Sequence, residues 1–259
     1  MRLAIFTAFP QELKPLLRKY KIDKQLKYDA LRVFFSHIAS HTIIFVQTGM
    51  GQAHQERACK YIVEEHRPEC ILSIGFGGAL FSYAEVGELV WGTKLILFPE
   101  DTERYRLSNG NIEGKHMLEI PDEEEIFRRL SGEINITRGS VITLKKPSKK
   151  SLVKEALPRE LSSPVCDMET FILAKYSLQS GLPFYSIRAV TDRLDEDIPL
   201  ELFSVVDREG NYNMARALKL LVFKPRLIPE AIKLGRHAGI AAENLSQAVT
   251  VLINIMTTA

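Results

Sequence analysis

Four carboxylates and one guanidinium stand where a reacting group could be placed. Asp167 and Glu169 open the run VCDMETFILAKY (165–176), whose later residues are mostly apolar. Glu12 follows the β-rich run LAIFTA (3–8), and Thr191-Asp192 ends a run, FYSIRAV (184–190), that also carries Arg188. An ionised carboxylate accepts hydroxyl and amide protons, and one kept protonated near neutral pH can act as a general acid. The same residue types also do plain structural work. Acids suit the first turn of a helix, methionine fills cores, Thr-Asp pairs cap turns after strands, and a lone arginine forms structural ion pairs. Spacing alone leaves both readings open for each of these positions.

The elements that must hold these residues alternate between strand and helix over the first two-thirds of the chain. LAIFTA, LRVFF (31–35), TIIFVQ (42–47), CILSIGFGGAL (70–80), ELVWGTKLILF (88–98), NITRGSVITL (135–144) and FYSIRAV read as strands. Helical spacing is expected in QELKPLLRKY (11–20), in the run after Gly51 up to Pro68, from Asp122 to Leu130, within 145–157, and from the 165–176 run to Ser180-Gly181. Asn109-Gly110 marks a turn in the polar segment 99–120. The pattern predicts one α/β domain with a largely parallel central sheet. In such sheets ligands bind beyond the carboxyl ends of strands, which selects Ala8 to Glu12, Gly49 to Gly51, Gly75 to Gly78 and Thr191-Asp192.

Neither glycine group completes a dinucleotide fingerprint. His54 stands where the third small residue of GxGxxG belongs after Gly49-Met50-Gly51, and Leu80 does so after Gly75. Read as tight turns, both groups would expose backbone N–H groups that suit an anion or a sugar hydroxyl.

Composition sets the outer limits. The 259 residues are 46% hydrophobic and 25% charged, with a net charge of +2, so the chain gives no electrostatic argument for nucleic acid. Cys59, Cys70 and Cys166 are scattered, which argues against a disulfide framework or structural zinc and fits a reducing cytoplasm. The first apolar run, Leu3 to Phe6, is too short for a signal segment. Residues 244–259 carry no charged side chain, yet Asn244, Ser246, Gln247 and Asn254 interrupt them, so an amphipathic helix on a core or a partner is expected. Lys145, Lys146, Lys149, Lys150 and Lys154 read as a solvated loop and helix face.

Together the segments resemble the nucleoside phosphorylase and nucleosidase superfamily, whose members break the bond between a base and ribose. The resemblance covers most of residues 1–195. It rests on the first strand followed by Glu12, TGMG (48–51), SIGFGGAL (73–80), VGELV (86–90), DMET (167–170) and IRAVTD (187–192), in that order. Methylthioadenosine/S-adenosylhomocysteine nucleosidases and hopanoid-associated phosphorylases look most similar, and the chain after Asp195 looks more like the latter. The resemblance implies a phosphorylase/hydrolase-like three-layer α/β/α fold with a twisted mixed central sheet, a single domain over 1–259, and residues 196–259 as a helical C-terminal extension. It also implies a homo-oligomer, a small-molecule nucleoside as partner, and no metal or redox cofactor, with phosphate as co-substrate only in a phosphorylase.

Carried over residue by residue, the resemblance makes Glu169 the acceptor for the ribose 2′- and 3′-hydroxyls and Met168 the sugar-face side chain. Asp192 would protonate the departing purine, Glu12 would orient and activate the attacking water, and Arg188 would organise that site. Gly75, Phe76 and Gly77 fall on the segment facing the substrate, and backbone groups at Pro147 and Ser148 on the segment facing the base. Phe76 departs from the pattern: nucleosidases of this type carry Ser there, and a phenyl ring cannot donate in its place. No arginine stands at 9–12 to hold phosphate, so water is the expected nucleophile. The implied reaction is cleavage of the N-glycosidic bond of an adenine nucleoside with a 5′ substituent. Phosphorolysis of a lipid-linked adenosine, with peripheral membrane contact, and nucleoside binding without turnover are the alternatives.

Overall fold

A computed structural model describes residues 1–99, 117–121, 123–207 and 213–258. The expected turn at Asn109-Gly110 and the first residue of the expected 122–130 helix lie outside them. Strand β1 (Arg2–Thr7) shows why the chain layers as it does. Leu3 and Ile5 enter one apolar cluster and Ala4 and Phe6 the other, as the two-residue period of a strand buried on both faces requires. Helices α1 (Pro10–Lys19), α3 (Glu124–Glu133) and α8 (Ile228–Thr257) feed Leu13, Leu16, Phe127, Leu130 and Leu245 into the first cluster. Helices α2 (Gln52–His66) and α5 (Thr170–Gln179) feed Ala58, Ile62, Phe171 and Leu173 into the second. The sheet therefore lies between two helical layers.

The remaining strands are β2 (Lys24–Tyr28), β3 (Leu31–Ile38), β4 (His41–Gln47), β5 (Cys70–Ala79), β6 (Leu89–Leu97), β7 (Met117–Glu119), β8 (Ile136–Thr143), β9 (Val165–Asp167) and β10 (Phe184–Asp192). They run in the order β10, β6, β8, β9, β5, β1, β4, β3, β2, with β7 on β6. β10 pairs with β5 as well, so β5, β10, β6, β8 and β9 close into a ring. β1 is parallel to β4 and β5, as are β5 to β10, β6 to β8 and β8 to β9. The pairs β2–β3, β3–β4, β5–β9, β6–β7 and β6–β10 are antiparallel. The sheet is thus mixed, as the resemblance implied, which corrects the largely parallel sheet expected from the strand and helix pattern alone. Short connections join β2 to β3 and β3 to β4, and only antiparallel strands can be joined so tightly.

Two further expectations change. Gly75, Gly77 and Gly78 lie inside β5 rather than in a turn after it. β2 has no counterpart in the sequence reading, because KQLKY is exposed at four of its five positions and lacks the alternation of a half-buried strand.

The chain after β10 continues as α6 (Leu200–Phe203), α7 (Met214–Phe223), a 3₁₀ turn (Pro225–Leu227) and α8. The uncharged tail forms the second half of α8, where Leu245, Ala248, Val249, Leu252 and Ile253 are buried in the first cluster. Among the described residues no helix is long and apolar enough to cross a membrane.

Candidate active site

Glu12 reaches its position because α1 begins immediately after β1. Pro10 occupies a first-turn position, where its missing N–H costs nothing. From α1 the Glu12 side chain turns back toward the strand ends: Oε2 accepts from the Ala8 and Phe9 N–H groups at 3.0 and 2.9 Å, and Oε1 from the Phe76 N–H at 2.9 Å. One acceptor position on Oε1 is left for a further donor. Burial pushes the carboxyl up to about 7, against the three backbone donors and Arg188, which favour its charge. Glycine at 75 is what admits it, since a Cβ there would stand 3.0 Å from Oε1.

The DMET run divides its two acids between structure and cavity. Asp167 ends β9 and is buried; its Oδ2 accepts from the Thr170 N–H at 3.0 Å and from Arg188 Nε at 3.0 Å, and its Oδ1 from Thr143 Oγ1 at 2.7 Å. Asp167 ends a strand and precedes α5, whose first turn holds no acid, so the plain first-turn alternative is not met; its carboxylate instead accepts from the first N–H of that helix. Glu169 points elsewhere. Its Oε1 accepts from the Gly51 N–H at 3.0 Å and its Oε2 from the Met168 N–H at 3.1 Å, so each oxygen retains capacity for one more donor. Burial, and after it the charge of Asp167, push this carboxyl up. Gly51 precedes α2 with φ of 98°, a conformation that favours glycine, and its N–H is spent on a carboxylate rather than a phosphate.

Arg188 is fully enclosed in β10. Its Nη1 donates to the Ser73 and Ile187 carbonyls at 3.1 and 2.9 Å, and its Nη2 to Ser73 Oγ at 2.7 Å and to Thr170 Oγ1. With the Asp167 pair, every guanidinium nitrogen is engaged, and the side chain ties β5, β9 and α5 together behind the two glutamates.

Asp192 ends β10 beside Gly78 and is buried. Its Oδ1 accepts from Thr191 Oγ1 at 2.7 Å, and its Oδ2 from Lys150 Nζ at 2.5 Å. Burial pushes the carboxyl up, and Lys150 pulls it back. Lys150 corrects the sequence reading. Lys145, Lys146 and Lys149 are exposed as expected, but Lys150 opens α4 (Lys150–Ala156) with only 4% of its surface exposed.

One cavity brings Glu12, Glu169, Arg188, Gly75 and Phe76 together, closed on other sides by Phe6, Phe9, Gln55 and Leu173. Met168 is partly buried beside it in sequence, and Gly77 lies one residue further along β5, its missing Cβ 3.4 Å from the Cys166 carbonyl oxygen. Asp192, Pro147 and Ser148 are not in the lining of that cavity. Ser148 is exposed, and its Oγ donates to the Lys146 carbonyl at 3.2 Å. Sequence reasoning gave no role to Lys150, Ser73 or Gln55, although Ser73 opens the SIGFGGAL run and Gln55 follows TGMG; Lys150 was hidden among four other lysines. Among the described residues no cluster of three or more His, Cys, Asp or Glu is placed to hold a metal.

The profile of the phosphorylase superfamily matches residues 2–222. Among curated relatives, the aminodeoxyfutalosine nucleosidase of Campylobacter jejuni is 22% identical over 224 residues, covering 85% of this chain and 98% of that protein. The 5′-methylthioadenosine/S-adenosylhomocysteine nucleosidase of Shewanella halifaxensis is 20% identical, covering 85% and 99%. Among solved structures, the futalosine hydrolase of Helicobacter pylori superposes with a TM-score of 0.75 at 14% identity, covering 98% of this chain and 97% of that one. The S-adenosylhomocysteine nucleosidase of Streptococcus pyogenes, in complex with 5-methylthiotubericidin, gives 0.71 at 18%, covering 98% and 96%. At these identities the superpositions establish the fold, a mixed sheet between helices, and the profile match over most of the chain establishes the family: this chain belongs to the phosphorylase superfamily.

Proposed function

We propose that this chain hydrolyses the N-glycosidic bond of an adenine nucleoside carrying a 5′ substituent. The observation that carries this reading is the pairing of two carboxylates in one cavity, each fixed by backbone donors and each with acceptor capacity to spare. Glu169, with one open position per oxygen, suits two vicinal ribose hydroxyls; their donors would favour the ionised form that burial disfavours, and that charge would stabilise a ribosyl group that becomes cationic as the base leaves. Glu12, poised near neutrality, suits a water that must be oriented and then deprotonated. Asp192, outside the lining of that cavity, is the acid for the departing base on the resemblance, and Arg188, which lines the cavity, organises the carboxylates around it. Separate groups for water and leaving group follow the logic of inverting glycosidases. The choice of adenine and of a 5′ substituent rests on the names of the relatives. Met168, Gly77, Pro147 and Ser148 remain assigned to substrate on the resemblance alone.

Product analysis tests the reading. Methylthioadenosine, S-adenosylhomocysteine, adenosine and inosine are incubated with the protein, each with and without phosphate. Free adenine in the absence of phosphate is the expected result. Release only with phosphate would make the enzyme a phosphorylase, and tight binding without product would make it a nucleoside-binding protein.

A second reading, a lipid-linked substrate met at a membrane surface, is favoured by α7 and the start of α8. Phe223, Val222, Leu218 and Ile232 are 74%, 68%, 66% and 61% exposed. Residues 214–236 hold six Lys and Arg against one acid, in a chain whose whole excess is +2. Among the described residues Lys224, Arg226 and Lys233 pair with Glu201 and Glu196, which leaves Arg216, Lys219 and Arg236, the first two on α7 with its exposed apolar side chains. Apolar contact combined with cations is the pattern of a helix lying on an anionic bilayer. Co-sedimentation with vesicles containing phosphatidylglycerol, lost in a Leu218→Ser, Phe223→Ser variant, is expected on this reading. Equal recovery of both proteins in the supernatant would remove it.

A further inference from the structure

Lysine is among the residues least often enclosed, and a cation at the start of a helix opposes the helix dipole. Lys150 meets both objections at once, being 4% exposed and the first residue of α4. Three features hold it there. Its Nζ donates to Asp192 Oδ2 at 2.5 Å and to the Arg193 carbonyl, while its own N–H donates to Asp197 Oδ1 at 3.1 Å. Glycine at 78 leaves the space they share, since a Cβ there would stand 2.9 Å from Asp192 Oδ2 and 3.1 Å from Lys150 Cδ. A buried ion pair of this kind is weak evidence for stability, because removing both charges from water costs about what the contact returns. Its position on the acid assigned to the leaving base gives a different reason for it.

Resting on that assignment, we propose that Lys150 is the positioning residue that holds Asp192 ionised between turnovers and supplies the proton Asp192 passes to the base. In the leaving step an N–H bond forms at N7 of the purine, and the electron pair of the glycosidic bond moves onto the base. One Nζ–H bond of Lys150 breaks as Asp192 Oδ2 takes its proton, so Asp192 ends ionised and Lys150 neutral. Water adds to the ribosyl carbon, giving one proton to Glu12, which releases it to solvent, and Lys150 is recharged from solvent, so no net proton is consumed. Of this pair, Asp192 and not Lys150 touches the base.

The groups around the pair are few. Cys166 Sγ lies 3.1 Å from where a Gly78 Cβ would be, its thiol pushed up to about 12 by burial and therefore neutral across the working range. Glu196 and Asp197 follow β10, the former paired with Lys233 at 2.5 Å. His237 of α8 places Nδ1 2.9 Å from the Thr191 carbonyl oxygen, and Arg193 turns its guanidinium to Glu85.

The test compares pH profiles of kcat and KM for adenine release by wild type, Lys150→Met, Lys150→Arg and Asp192→Asn. Arginine keeps the charge and the contact but does not release a proton. Lys150→Arg should therefore fold, retain KM within about threefold and lose roughly a hundredfold or more in kcat at all pH values. Lys150→Met removes the cation that pulls the buried Asp192 carboxyl down, so Asp192 should carry its own proton toward acid pH and kcat should fall along an alkaline limb that wild type lacks. Wild-type kcat in Lys150→Arg would overturn the proposal and leave the lysine a structural pair. Full turnover by Asp192→Asn would instead remove the acid assignment beneath it, and no adenine from wild type with any nucleoside would remove the proposed function and this role together.

Discussion

The backbone N–H of Phe76 donates to Glu12 Oε1 at 2.9 Å, so position 76 serves the candidate site through its main chain, while its ring packs against the cluster beneath α1 and α8. The missing side-chain hydroxyl that sets this chain apart from the pattern it resembles is therefore not a missing anchor for Glu12. Phe76→Ser should leave the Glu12 contact in place and cost about 1–3 kcal/mol of stability, since a partly buried ring gives up less than a fully buried one. Urea denaturation and kcat measured on the same preparations check this. A large fall in kcat at unchanged KM would show the ring itself to be needed.

Glu12 links activity to pH. If it works as the ionised base, kcat/KM should rise with pH through a limb near 7. Stability should move the other way. A carboxyl whose folded pKa is about 7 against 4.5 unfolded stabilises the fold fully below pH 4.5 and loses that contribution as pH rises through 7, a change of about 3 kcal/mol. Glu12→Gln should abolish the kinetic limb and flatten the stability curve between pH 4.5 and 7. A variant with the wild-type slope would show that another group is responsible.

Gly75→Ala is expected to damage chemistry more than folding. The added Cβ would meet Glu12 Oε1 at 3.0 Å and displace it by a few tenths of an ångström. Because small misplacements are costly at a reacting centre, kcat should fall about tenfold to a hundredfold with a modest change in melting temperature.

Glu169→Gln replaces two acceptor oxygens with one oxygen and one NH₂ group. One backbone donor and one substrate hydroxyl lose their partner, and KM should rise about tenfold to a hundredfold, as expected for hydrogen bonds to a charged group. Unchanged KM would move the ribose contact away from Glu169.

Arg188→Met should be the least tolerated change. It strands Asp167 without its cation in an enclosed site, at a cost of about 3–5 kcal/mol. Thermal unfolding should show the loss before any assay of activity. A variant that melts like wild type would place the arginine in chemistry rather than architecture.

The sequence made the strands and their glycines legible because burial on both faces leaves continuous apolar runs, as in AIF of β1 and VITL around the end of β8. Glu12 and Asp192 each stand beside the end of such a run, whereas Glu169 was marked only by the DMET run, whose short strand β9 the sequence reading took as the start of a helix. What escaped it was partnership. Whether Asp167 or Glu169 faced the cavity depended on Thr143 and Arg188, 24 residues before and 21 after Asp167. Lys150 could not be told from its neighbours, because its burial is decided by Asp192, 42 residues away, and by a glycine on a third strand. Strand β2 was hidden for the opposite reason: exposed on both faces, it is held by its backbone pairing to β3 rather than by an apolar pattern.

The glycines of β5 carry an evolutionary consequence. Gly75 makes room for Glu12 and Gly78 for Asp192 and Lys150, so two side chains assigned opposite tasks depend on the emptiness of one strand. In this chain an alanine at 75 would press on the group assigned to water, and one at 78 on the pair assigned to the base, so either change would call for a compensating one in the same step. Change at the rim of the cavity therefore meets fewer constraints than change at Gly75 or Gly78.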